Sequence, residues 1–223
     1  IRALEDMLGV VLFRRTPKGL ELTGEADAGL DALRHGFLQF EESVRAMQAG
    51  QSSQSLTIAA PRDLTAKWLA PKLARYSQQA PDVRFTLVSA DSGIDFTEAN
   101  LDLAIFWTDS AGEHEGLALA DALMVTVAGP GSGSDTRIAW PGCPVADGEP
   151  ALRLGDAGLA IDAAANGLGQ ANVPAMLAEA DIAAGRVRQI GDAVAVKRAY
   201  WLVAPTPQWR QAKVKALVAA LTA

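Results

Sequence analysis

Between Leu56 and Phe106 the apolar period of the sequence switches repeatedly from strand-like to helix-like, and this alternation limits the fold more than any other feature. Residues 56–60 read as a buried strand, 64–79 as an amphipathic helix and 83–88 as a second strand. Residues 95–100 read as a short helical turn and 101–106 as a third strand. Strand and helix in this order imply a parallel sheet joined by right-handed crossovers. A further strand is expected at 123–128. A looser second unit follows, with a strand at 137–140, helices at 156–166 and 174–184, strands at 187–190 and 199–203, and a last helix at 208–221. The stretch 129–148 is rich in Gly, Ser, Pro and Asp and reads as loop, short for a compact subdomain. The expected class is α/β with two subdomains, roughly 55–106 plus a C-terminal segment, and 123–190.

The upstream quarter obeys a different rule. Residues 50–55 are polar and aperiodic, a linker or hinge. Before it, a helical pattern runs from a plausible N-cap at Thr23 to about Gln48. Leu30, Leu33, Phe37, Phe40, Val44 and Met47 are spaced 3, 4, 3, 4, 3 along it. That narrow seam, flanked by charges, fits a helix that pairs along its length with another; the bland alternative is an amphipathic helix lying on its own core. Residues 10–22 read as a hairpin, with Thr16-Pro17-Lys18-Gly19 as the turn. Arg14, Arg15 and Lys18 gather there with no acid between Gly9 and Leu20. A solvated basic turn is one reading, a wing lying on phosphate the other. Ile1, Leu4 and Leu8 share a helix face ended by Gly9, and a helix whose apolar face is in phase from its first residue reads like the end of a longer one.

Composition removes several classes of function. A net charge of −6 over 223 residues argues against wholesale wrapping of nucleic acid, though not against a small basic contact. The single cysteine, Cys143, has no internal disulfide partner and fits a reducing compartment, so a cytoplasmic location is expected. No run of eighteen apolar residues occurs, and no membrane partner is expected. Signatures of the nucleophile elbow and the phosphate-binding loop are missing, and the two histidines, His35 and His114, are far apart. No enzyme activity, metal or cofactor is expected. Binding chemistry is better represented. The turn holding Arg62, Asp63, Leu64 and Thr65 joins a strand's carboxyl end to a helix start, where α/β sheets hold ligands. Asp63 or Thr65 either caps that helix or meets a ligand. Ser92, Phe106 and Trp107 follow the next two strands onto the same rim, and Trp140, Asn166 and Gly169 are candidates from the second subdomain.

These pieces coincide in one family. Residues 1–23, I-R-A-L-E-D-M-L-G-V-V-L-F-R-R-T-P-K-G-L-E-L-T, resemble the end of the winged helix-turn-helix of LysR-type transcriptional regulators. W-L-A-P-K-L at 68–73, D-L-A-I at 102–105, and the run from Gly167 through Pro174 to Arg186 resemble the family's effector domain, in its glycine-cleavage-regulator-like branch. The resemblance implies the remnant of a winged helix-turn-helix (1–23), a linker or dimerisation helix (24–50), and an effector domain (51–223) of two subdomains like those of periplasmic binding proteins. It implies operator DNA as partner, touched by Arg2 at the end of the recognition helix and by Arg14, Arg15, Thr16 and Lys18 in the wing. It further implies a homodimer or homotetramer and a small-molecule effector in the cleft. Two other classes share the α/β reading: an exported solute-binding protein, which the basic wing and the seam disfavour, and a small-molecule enzyme.

Overall fold

A computed structural model of the chain describes residues 1–17, 19–49, 54–90, 95–96, 99–132, 135–144 and 149–222; the side chains of residues 45–49 lie outside that description. The chain divides into two compact units, residues 1–53 and 54–223.

In the first unit, helix α1 (Arg2–Leu8) ends at Gly9, whose backbone is left-handed. The Glu5 carboxylate accepts hydrogen bonds from the N–H groups of Leu12 and Phe13, at 2.7 and 3.3 Å, and so fixes the approach to strand β1 (Phe13–Thr16). Strand β2 (Gly19–Leu22) pairs with β1 in antiparallel register, Arg14 facing Glu21 and Thr16 facing Gly19. The hairpin expected at 10–22 is therefore present but shorter. Thr23 then caps helix α2 (Gly24–Ala49): its hydroxyl accepts from Ala26 N–H at 3.2 Å and donates to Val11 O at 2.7 Å. At 26 residues α2 is about 39 Å long.

The second unit is built on two five-stranded sheets. The first contains β3 (Ser55–Ala60), β4 (Arg84–Ser89), β5 (Leu103–Thr108), β6 (Glu115–Ala118) and β12 (Ala199–Ala204), in the order β4-β3-β5-β12-β6. The second contains β7 (Leu123–Ala128), β8 (Arg137–Ala139), β9 (Leu152–Arg153), β10 (Gln170–Pro174) and β11 (Arg188–Ala195), in the order β11-β7-β10-β8-β9. The chain thus crosses between lobes twice, after β6 and again after β11.

Strands β4, β3 and β5 are parallel, as the alternation requires, but β12 returns from the C-terminal segment and pairs antiparallel with β5 and β6. Both sheets are therefore mixed rather than wholly parallel. The expected helix at 64–79 is a single run of three parts: α3 (Arg62–Leu64), a π turn (Thr65–Leu69) and α4 (Ala70–Gln79). Helix α5 (Ala157–Ala165) is bounded by Asp156 and Asn166, and α6 (Ala175–Ala183) by Pro174 and Ala184. The final helix is split into α7 (Thr206–Trp209) and α8 (Ala212–Thr222). Residues 170–174, expected to lead into a helix, instead form β10 in the middle of the second sheet. Ala171 and Val173 point into the core there, and Pro174, with no N–H to give, ends the strand.

The core runs through both lobes, with Ile58, Leu64, Leu69, Leu103 and Ile105 on one side and Val127, Ile161, Val173 and Leu177 on the other. No helix among the described residues is long and apolar enough to cross a membrane.

Candidate functional site

A cleft of about 490 Å³ opens between the two sheets. The first lobe contributes Pro61, Asp63, Trp107, Thr108, Asp109 and Tyr200, the second Trp140, Pro141, Gly142, Gly155 and Asp156, and the second crossover Arg198. Strand alternation explains the aromatic wall. Trp107 on β5 and Tyr200 on β12 are cross-strand partners, and their rings meet at 4.8 Å, tilted by 53°. Trp140 faces them from the other lobe, its indole N–H donating to Asn172 O at 2.8 Å. The indole N–H of Trp107 is buried and has no partner among the described residues.

Asp63 is the polar centre of the site. It is 7% exposed. Its Oδ1 accepts from Leu64 N–H at 2.7 Å, and its Oδ2 accepts from Ala157 N–H at 3.2 Å, across the cleft at the start of α5. One carboxylate therefore caps helix starts in both lobes. Gly158 permits the approach, since a Cβ at that position would stand 2.9 Å from the Asp63 Cβ. Asp156 caps the same helix from its own lobe, accepting from Leu159 N–H at 2.8 Å. Burial pushes the Asp63 carboxyl above its ordinary range, against the pull of its backbone donors, and the neighbouring Asp156 charge pushes it the same way.

Behind the cleft the lobes are tied by charge. Lys67, on the π turn, reaches Asp162 of α5 at 2.7 Å and Asp181 of α6 at 2.8 Å. Arg186 closes the group, 2.6 Å from Asp181 and 3.0 Å from Asp162. Burial works to raise the Asp162 carboxyl, but Lys67 and Arg186 together outweigh it and hold the group below its ordinary range.

The structure brings together Asp63, Trp107 and Trp140 of the ten effector candidates. Leu64 is fully buried in the core. Arg62 is exposed on α3 and outside the cleft lining. Thr65 turns back to donate to Pro61 O at 2.9 Å, and Phe106 lies on the face of β5 opposite Trp107. Asn166 ends α5, donating to Asp162 O, while Gly169 makes a turn at φ +148° that passes too close to the Thr136 carbonyl for any Cβ. Ser92 lies outside the described residues. Tyr200, Asp109, Asp156 and Arg198 line the cleft without having been anticipated. Tyr200 had a signal, because the strand at 199–203 places it against Trp107 once the two strands are paired.

In the first unit Arg2, Arg14 and Arg15 are exposed, and Arg14 makes a loose pair with Glu21 at 3.8 Å. The Thr16 hydroxyl donates to Gly19 O, and Lys18 lies outside the described residues. Of the seam, Leu33, Phe37 and Phe40 are exposed, Leu30 and Val44 are half-buried, and the Met47 side chain lies outside the description.

A family described as the LysR substrate binding domain matches residues 49–141 and 134–223, the whole two-lobed unit. The chain belongs to the LysR family. Among its LysR-type relatives, the HTH-type transcriptional activator AmpR of Rhodobacter capsulatus is 29% identical over 229 residues, covering 92% of this chain and 79% of that protein. AmpR of Citrobacter koseri is 35% identical over 105 residues, 47% of this chain and 37% of its own length. The glycine cleavage system transcriptional activator of Escherichia coli K12 is 31% identical over 107 residues, 48% of this chain and 35% of its length. The chain thus aligns with well under half of the last two. The full-length Vibrio cholerae virulence activator AphB, a member of the LTTR family, superposes with a TM-score of 0.78 over 100% of this chain and 86% of that one, at 16% identity. The effector domain of Pseudomonas aeruginosa AmpR gives 0.61 over 75% and 93%, at 21% identity. At such identities the likeness speaks for the fold alone.

Proposed function

We propose that this LysR-family chain is a cytoplasmic, DNA-binding transcriptional regulator without catalytic activity, governed by a small molecule held in the cleft between its lobes. The observation that carries the reading is the family match across a unit whose two lobes enclose an aromatic cleft, downstream of a basic hairpin and a helix with an exposed apolar seam. Arg14, Arg15, Thr16 and Lys18 would meet phosphate from the wing, and Arg2 from the end of α1. Such contacts position a protein on a duplex, while base edges supply the specificity. Leu30, Leu33, Phe37, Phe40, Val44 and Met47 would pair two copies, giving a homodimer or a higher assembly built from it. The effector would bias the balance between two arrangements of the lobes and so alter the DNA contacts.

A gel shift of the full-length protein with the DNA upstream of its own gene tests this. A sequence-dependent complex that weakens steeply with salt is expected. Equal affinity for unrelated DNA, or none, would overturn the reading.

A further inference from the structure

Resting on the reading of the cleft as the effector site, the geometry points to the class of molecule it takes: a cation, an amine or amidine on an aromatic or apolar body. The places where an α/β cleft offers N–H groups to an anion are helix starts. Here three of those amides are already taken. Asp63 accepts from Leu64 and Ala157, and Asp156 from Leu159, so the chain's own carboxylates occupy the seat that an anionic ligand would need. At these amides an incoming carboxylate would have to displace a carboxylate already bound, and it would meet charge of its own sign.

The rest of the wall favours the opposite sign. Trp107, Trp140 and Tyr200 present aromatic surface from both lobes, which attracts cations to its faces. Among the described lining residues Arg198 is the one cation, and it is matched by Asp109 at 3.4 Å. With Asp63 and Asp156 the lining carries more acid than base. Lys197 lines an adjoining hollow that shares Trp107, Asp109, Pro141, Gly142 and Arg198 with the cleft, and even with it counted the acids Asp63, Asp109 and Asp156 outnumber the bases.

Two probes of one shape separate the charges: tyramine, with an ammonium, and 3-(4-hydroxyphenyl)propionate, with a carboxylate in its place. Both carry the same phenol ring. Isothermal titration of the full-length protein is expected to show tyramine binding and no heat from the propionate. Asp156→Asn keeps a good helix cap while removing the charge, and is expected to weaken tyramine about tenfold. Trp140→Leu is expected to weaken it as well, with thermal melting confirming that both variants fold. If the propionate binds instead, and Trp140→Leu abolishes it, the cleft remains the effector site and the inference of a cation is overturned. Tyramine binding that neither variant changes would overturn the cleft itself as the site. Silence from both probes would overturn the inference for amines of this size.

Discussion

At the scale of single residues, Asp63 has a structural role and an electrostatic cost at once. Its carboxylate satisfies N–H groups at the starts of two helices, one in each lobe. Losing a cap of this kind costs about 1–2 kcal/mol, so Asp63→Ala should lower the unfolding free energy by that amount in urea titrations. The pH dependence has a definite sign. Because the folded carboxyl titrates above its ordinary value, between those two values the native state holds a proton that the unfolded chain has released. Stability from this group should therefore fall as pH rises from the ordinary Asp range through the raised value, and Asp63→Asn should remove that fall. Asp162 leaves the opposite trace. Its carboxyl is held low, so its contribution is present above the ordinary range and is lost as pH falls through the depressed value, a loss that Asp162→Asn should abolish. Urea unfolding over a pH series, in the wild type and both variants, reads the two signs separately.

At the scale of elements, the π turn Thr65–Leu69 places Lys67 between α5 and α6. Asp181 is 5% exposed, so its charge depends on Lys67 and Arg186 for compensation. Lys67→Met should cost about 2 kcal/mol, less than a fully orphaned buried charge because Arg186 remains. In a double-mutant cycle with Asp181→Asn the double variant should cost less than the sum of the two single ones, and strict additivity would count against the tie. Elements of this kind also mark the limit of what the sequence told. The strands at 56–60 and 123–128 and the cap at Thr23 were legible, because buried apolar runs and polar cap residues are local signals. Strand β10 was not, since Gln-Ala-Asn-Val-Pro is short and sits between a glycine-rich turn and a helix. Only its two neighbours in the sheet make it a strand. The cleft was half legible for the same reason. Trp107 and Trp140 end strands that could be read directly, whereas Tyr200 reaches the site through an antiparallel pairing across ninety residues of chain.

At the scale of the whole molecule, the exposed seam on α2 is the feature that a single copy leaves unexplained. Phe37 and Phe40 are 63% and 67% exposed, with Leu33 beside them at 57%. Helices with such a seam bury it against a second helix. If the proposed function holds, replacing Phe37 and Phe40 together by Glu should yield monomers in sedimentation velocity and weaken binding to operator DNA. Unchanged sedimentation would count against the seam as a pairing surface.

The shared cap at the start of α5 also equips this protein with a reporter. Ala157 N–H is held by Asp63 from the opposite lobe, while Leu159 N–H, two residues on, is held by Asp156 from its own. Any parting of the lobes must release the first amide and leave the second in place. In native-state hydrogen exchange Ala157 should therefore lose protection whenever the lobes separate, with Leu159 as the internal control on the same helix. The ratio of the two exchange rates, followed with and without an added ligand, would measure how often the cleft opens.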